Sequence, residues 1–176
     1  NAGGPRALEG PGALAIRASA PEDYRALLRR AFPAGARRLA GIVHLWGLDA
    51  APGEDAAPGA LAADLGLAVD SVLHLAQAAA ARAGSGPLPI WLVTRGAQAA
   101  GRPDAPLAPL QAAAWGLDRV LRLEQPDLRV GLVDLDPADG AERSAARLAA
   151  ELRAGGEEDQ VALAGDRRLV PRLVPR

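Results

Sequence analysis

Cysteine and lysine are both absent from this chain. Without cysteine there is no disulfide, no thiol nucleophile and no thiolate metal ligand. Without lysine, each of the 20 basic residues is arginine, and every lysine-dependent mechanism is excluded. Aromatic residues are scarce at 3%, so alanine, leucine and valine must fill the core of a chain that is 49% apolar. An excess of either charge is missing too. The net charge of −1 and a pI near 6.2 argue against a broad electrostatic footprint for nucleic acid or for an acidic membrane. No uninterrupted apolar run reaches the ~20 residues of a membrane span, and no signal-peptide pattern opens the sequence. The cytoplasm is the expected compartment. What remains, 176 residues, is the size of one ordinary domain that buries roughly 70% of its unfolded surface. Asn1 at the start and LVPRLVPR at the end read as the borders of a segment cut from a longer polypeptide.

Hydrophobic periodicity organises the chain into alternating strands and helices. Residues 1–12 (NAGGPRALEGPG) read as linker, leaving 13–176 as a single folded unit. Ala13–Ala18 suits a first strand. Ser19, Pro21, Glu22 and Asp23 carry the start signals of a helix, with Ser19 as its cap, Tyr24, Leu27, Leu28 and Ala31 on one face and Phe32-Pro33 as its stop. Gly41–Leu48 is short and almost wholly apolar, as a buried parallel strand is. Asp49–Ala63 reads as a loop. Asp64–Arg82 is predicted helical from the stripe Leu65, Val69, Val72, Leu73, Ala76, Ala79 and Ala80, closed by Gly84–Pro87. Then come a strand at Leu88–Thr94, a helix at Pro109–Glu124, a strand at Arg129–Leu135 and a helix at Glu142–Arg153. Two short strands close the chain, Asp159–Ala164 and Arg167–Val174, with Gly165-Asp166 as their turn and Pro171 limiting the last to an edge. Strands alternating with helices predict an α/β fold with a mostly parallel sheet and helices on both faces.

The unit from Leu88 to Asp136 is strand, loop, helix, strand. In a nucleotide-binding fold its chemistry belongs in the loop after the first strand, here Thr94–Pro106. That chemistry is missing. Gly96 and Gly101 are too far apart for a dinucleotide loop and are separated from the helix by prolines. Ser19-Ala20-Pro21 has no glycine, and Gly84-Ser85-Gly86 precedes a strand instead of following one. A short-chain reductase pairs a catalytic tyrosine with a lysine four residues on; Tyr24 is the sole tyrosine and no lysine exists, so Tyr24 reads as a core or rim residue. His44, on one strand face with Ile42 and Trp46, reads as a hydrogen-bonded structural histidine. His74 reads as the partner of Asp70 on the polar side of its helix, beside Gln77. Two histidines without a carboxylate cluster make a poor metal site. None of the four serines sits in a nucleophile elbow. Asp134 and Asp136, at the carboxyl end of a strand, and Arg95 of Thr94-Arg95-Gly96 at the same edge are the positions best placed for a ligand, with solvation and loop capping as the competing explanation. Arg167, Arg168, Arg172 and Arg176 alternate with apolar residues as on a half-buried strand and form no dense basic patch.

Several words in the same order carry a family resemblance. Trp91–Ala97, Pro109–Ala112, Trp115–Val120, Leu123-Glu124 and Gly131–Leu135, with Gly41–Trp46, Leu48-Asp49 and Glu158–Ala162, are similar to the N-terminal structural subdomain of ketoreductases from modular type I polyketide synthases. The resemblance spans about residues 13–174. It implies a truncated Rossmann-like fold that lacks the cofactor-binding glycine loop and stabilises a following catalytic subdomain. That second half would bind NADPH and reduce the β-keto group of intermediates held on an acyl carrier protein. No catalytic, cofactor-binding or metal residue is therefore expected in this chain. The partners implied are the catalytic subdomain of the same polypeptide and neighbouring enoylreductase, dehydratase and acyl carrier protein domains. One departure concerns Ala108, where the family often has a serine or threonine cap, so the helix start there is weaker by ~1 kcal/mol. Two other readings stay open. One is an interaction platform using Arg25, Arg29 and Arg30, or Arg119 and Arg122; the other is a free-standing enzyme built on Asp134 and Asp136.

Overall fold

The computed structural model describes residues 14–32, 41–50, 58–82, 88–102 and 107–173. Helix α1 (Pro21–Ala31) opens with proline in its first turn. Its N-cap is Ala20, not the expected Ser19, and no side chain caps it. Arg17 fixes the entry instead: its amide and Nε donate to Asp23 at 2.9 Å, and Nη2 donates to Glu22 at 3.0 Å. At the other end Arg82 donates to the carbonyls of Leu28 and Phe32 at 2.9 and 3.0 Å, joining the Phe32 amide at Leu28 O and tying the helix end to α3's C-terminus. The expected strand before α1 does not form. Residues 14–17 have no regular secondary structure and join no ladder, and the chain turns just after them, with Ala20 N donating to Arg17 O.

Strand β1 (Ile42–His44) is shorter than predicted. Leu45 leaves the extended region (φ −113°, ψ −5°) and Trp46–Asp49 coil into a 3₁₀ turn, which lets Gly47 lie against the carbonyl of Val93. The next helix begins before Asp64. Helix α2 (Pro58–Leu65) runs through a single wide π turn (Gly66–Asp70) into α3 (Ser71–Ala80). Taken together, Pro58–Ala80 form 23 residues long and apolar enough, by length and composition alone, to cross a membrane. A search for uninterrupted apolar runs misses them because Asp64 and Asp70 break the run. The α3 half is a core helix: Val72, Leu75, Ala76 and Ala79 are buried against the sheet. The predicted Pro33 and Gly84–Pro87 stops lie outside the described residues, as do the linker, residues 51–57 of the predicted loop and Arg176.

The central unit matches expectation closely, as β2 (Leu88–Arg95), α4 (Pro109–Glu124) and β3 (Leu128–Leu135). Ala108 caps α4 without a side-chain bond. Helix α5 (Ala141–Ala154) and strands β4 (Gln160–Ala164) and β5 (Arg167–Leu169) complete the chain, β5 ending two residues before Pro171. The strands stand in sequence order, β1-β2-β3-β4-β5, the first four parallel and β5 antiparallel. Strands β2 and β3 pair over their whole length, from Leu88↔Leu128 to Arg95↔Leu135.

Alternation splits the core in two. Ile90, Leu92, Val130 and Leu132 face α1, α3 and α4, packed with Tyr24, Leu28, Val72 and Trp115. Val93, Val133, Leu135, Val161 and Leu163 face the other way, towards Leu148 of α5. On that second face the Trp91 ring crosses over Gly131, where a Cβ would lie 2.4 Å from it, so only glycine fits. The crossovers β2–α4–β3 and β3–α5–β4 step the same way across the sheet but pass on opposite faces. Their hands are therefore opposite, and one of them is the rare left-handed form.

Candidate functional site

The carboxyl edge of β2, β3 and β4 is where an α/β sheet presents ligand chemistry, and three positions singled out from the sequence meet there. Thr94 and Asp134 are register partners on the α4 face. Asp134 has no exposed surface. Its Oδ1 accepts from Thr94 Oγ1 at 2.8 Å and from the Ala97 amide at 2.9 Å; Oδ2 accepts from the Gln98 amide at 3.0 Å, with Arg102 4.0 Å away. Thr94 Oγ1 in turn accepts from the indole N–H of Trp115 at 3.2 Å. Burial raises the pKa of Asp134, opposed by the bonds from Ala97, Thr94 and Gln98 and by the Arg102 charge.

Asp136 holds the outer layer. It accepts from Arg102 at 2.5 Å, from the Gly165 amide at 2.6 Å and from the Ala138 amide at 3.0 Å. Burial alone would raise its pKa, but the hydrogen bonds from Gly165, Ala138 and Arg102 and the Arg102 charge win, and the group stays ionised below the ordinary carboxylate range. The loop between is folded down on these two carboxylates. Ala100 and Gly101 are both left-handed (φ 47° and 75°), and Arg102 N donates to Ala99 O at 2.8 Å, a tight turn with strain at the alanine. Gln111 of α4 closes the near side, accepting from the Arg95 amide at 2.8 Å.

Arg95, weighed as a phosphate holder, points away. Its guanidinium donates to Asp139 O at 2.9 Å and Ser144 Oγ at 3.1 Å, tying β2 to the start of α5. The amides of Ala97 and Gln98, the loop donors that would cradle an anion, are already given to Asp134. The residues at this edge therefore do not fit a dinucleotide phosphate: two carboxylates and an engaged arginine occupy the ground it would need.

A second polar cluster lies at the end of β1. Ser71 gives its proton to Leu67 O at 2.6 Å, so at 2.8 Å His44 must be the donor to Ser71 Oγ, through Nε2. Burial pushes the His44 pKa down to about 4, keeping the ring neutral. Tyr24 donates to Ala18 O at 3.0 Å, and burial drives its pKa up, so it stays a phenol packed against Trp46. His74 is not on the polar side beside Asp70. Its ring lies 5.8 Å from that of Tyr24, the side chain is half-buried, and its buried Nδ1 has no partner. No group of residues that could hold a metal ion occurs among the described residues.

The other arginines divide. Arg122 is held by Asp118 at 2.9 Å and by Asp159; Arg168 by Glu151 at 2.8 Å; Arg172 by Glu158. Arg25, Arg29, Arg30 and Arg119 are exposed and make no ion pair among the described residues. Sequence reasoning located Asp134 and Asp136 but missed Arg102, Gln111, Trp115 and Ser71. The signal available for Trp115 and Gln111 was their shared face, four apart on α4.

With this geometry in place, comparison with known proteins is direct. The profile of the Rossmann fold domain of polyketide synthase extender module SpnB matches residues 6–173. The chain belongs to that family. The pikromycin polyketide synthase component PikAII of Streptomyces venezuelae is 43% identical over 86 residues, 49% of this chain and 2% of that relative. Among solved structures, A-type ketoreductases from a modular polyketide synthase superpose with a TM-score of 0.64 at 34% identity, covering 92% of this chain and 33% of theirs. A C2-type ketoreductase gives 0.68 at 31% identity, covering 88% and 32%. This extender-module Rossmann domain is thus a polyketide synthase ketoreductase-related fold. It spans about a third of those ketoreductase chains and a far smaller share of the curated synthase.

Proposed function

We propose that this domain is the non-catalytic structural half of a polyketide synthase ketoreductase, which stabilises an NADPH-binding catalytic half that reduces the β-keto group of carrier-protein-bound intermediates. The observation that carries this reading is the carboxyl edge of the sheet, where Asp134, Asp136 and Arg102 are consumed in holding the chain's own loop. Groups bonded in this way position backbone; they do not meet a substrate. No catalytic, cofactor-binding or metal-binding residue is assigned to the chain, residues 13–176 act as one unit behind a linker at 1–12, and the cytoplasm is the proposed compartment. The family and the ketoreductase likeness support the wider context. Within it the catalytic half of the same polypeptide is the main partner, and enoylreductase, dehydratase and acyl carrier protein domains are its neighbours. Titration of the purified chain with NADPH, followed by nicotinamide fluorescence, tests the reading. No saturable change is expected, and saturation at micromolar cofactor would overturn it.

A second reading, a docking platform for carrier protein or neighbouring domains, draws on the exposed Arg25, Arg29 and Arg30 along α1, which make no ion pair among the described residues. Arg122 drops out because Asp118 and Asp159 hold it. Charge reversal at the three α1 positions would weaken reduction by the intact synthase if this reading holds and leave it unchanged if it does not.

A further inference from the structure

The two edges of the sheet are guarded unequally. Strand β5 carries Arg167 and Arg168, the latter paired with Glu151, and is followed by Pro171, all devices that keep an edge from pairing with another strand. Strand β1 has none of them. Residues 41–48 contain no charge and no proline, and Val43 and Leu45 are 41% and 45% exposed. A strand apolar on both faces belongs inside a parallel sheet, not at its margin.

Topology says what is missing. Helix α3 carries the chain from β1 to β2 on the face that also holds α1. If the connection through α1 into β1 has the same hand, the strand leading into α1 must come from beyond β1's free edge. Residues 14–17 lead into α1, and Leu14 and Ile16 line a shallow groove with Ala26 and Leu27 of that helix. They make no backbone hydrogen bond to β1, and among the described residues nothing pairs with β1 on that side. A chain that starts at that position and steps outward moves in the opposite direction across the sheet. With unchanged hand its helix falls on the opposite face, where Val43 is bare and α5 lies over towards β3.

We propose that β1 receives a parallel apolar β-strand from the same polypeptide, followed by a helix that covers Val43 and Leu45. The bare edge and the bare face meet at one corner, and a single strand–helix unit closes both. Its source is argued from the ketoreductase chains, two thirds of whose length lies outside this one. The inference does not depend on whether the domain is catalytically silent, because NADPH binding and edge closure are read by different measurements.

Hydrogen exchange followed by mass spectrometry, on this chain and on the longer synthase polypeptide, tests it. Amides in the 41–48 peptide are expected to exchange about 100-fold more slowly in the longer polypeptide. The double variant Val43→Arg, Leu45→Arg is expected to leave the thermal midpoint of this chain unchanged and to lower that of the longer polypeptide. Equal protection in both would mean that the edge is already closed from within. A dimer of this chain that Val43→Arg dissociates would make a second copy the occupant. Either result overturns the proposal.

Discussion

Replacing Asp134 by alanine removes the acceptor at the centre of the carboxyl-edge network. Three donors lose their partner at once: the Thr94 hydroxyl and the Ala97 and Gln98 amides. The hydroxyl can rotate, but the two amides are fixed by the loop. Each buried donor left unpaired costs ~1–3 kcal/mol. Against this, alanine relieves the burial of a carboxylate that burial itself disfavours. The net expectation is a loss of about 3 kcal/mol, a large part of the ~5–15 kcal/mol that holds a domain of this kind together. Urea denaturation read by tryptophan fluorescence is the assay, since Trp115 touches Thr94 directly. Asp134→Asn sharpens the test. Its amide oxygen can accept from Thr94 and Ala97, but its NH₂ faces the Gln98 amide donor to donor, so the loss should be about half as large. If Asp134→Ala shifts stability by less than ~1 kcal/mol, the carboxylate is not the loop's anchor, and Asp134 returns as a candidate for chemistry.

Gly131→Ala should cost about 2 kcal/mol, because the new methyl displaces the Trp91 ring; Trp91→Val in the same background should recover part of that loss, a coupling that a double-mutant cycle measures. Ala100→Asn should raise the thermal midpoint, gaining about 1 kcal/mol by placing a residue tolerant of positive φ where alanine is strained. His44 makes stability depend on pH. Its pKa is about 4 in the fold against 6.5 unperturbed, so between those values the unfolded chain takes up the proton first. Its contribution is complete above pH 6.5, declines as pH falls and is gone below about 4, a total of about 3 kcal/mol at ~1.4 kcal/mol per pH unit. His44→Gln should flatten that part of the profile in denaturation curves taken from pH 7 to 4; an unchanged slope would show that His44 is not buried neutral.

Period and punctuation made the central unit legible. β2, α4 and β3 combine long apolar runs with Pro109 and Pro126 at the helix ends, and local signals agreed with tertiary demand. They failed where long-range packing decides. Gly41–Leu48 carries eight residues of strand-like composition, yet only Ile42–His44 pair, since Leu45 leaves the extended region and Trp46–Asp49 coil into a 3₁₀ turn. Ala13–Ala18 has the composition of a strand but no ladder partner among the described residues. The helix starting at Pro58 was hidden by alanine and glycine, which carry no periodic signal. At the carboxyl edge Asp134 and Asp136 stood out as charges at a strand end. Arg102, 34 residues from Asp136 in sequence, had no local signature. Nor did the opposed hands of the two crossovers, which depend on which face each helix finally covers.

The sequential strand order bears on how such a domain is made. Every ladder joins strands that are neighbours along the chain, so no strand has to wait for a segment synthesised much later. Pairings between neighbours keep loop-closure penalties low and speed folding. On the ribosome, β1 and β2 can zip as soon as α3 has emerged, β3 adds after α4, and β4 with β5 seal the far edge last. A polypeptide many times longer than this domain benefits from parts that fold in the order in which they appear.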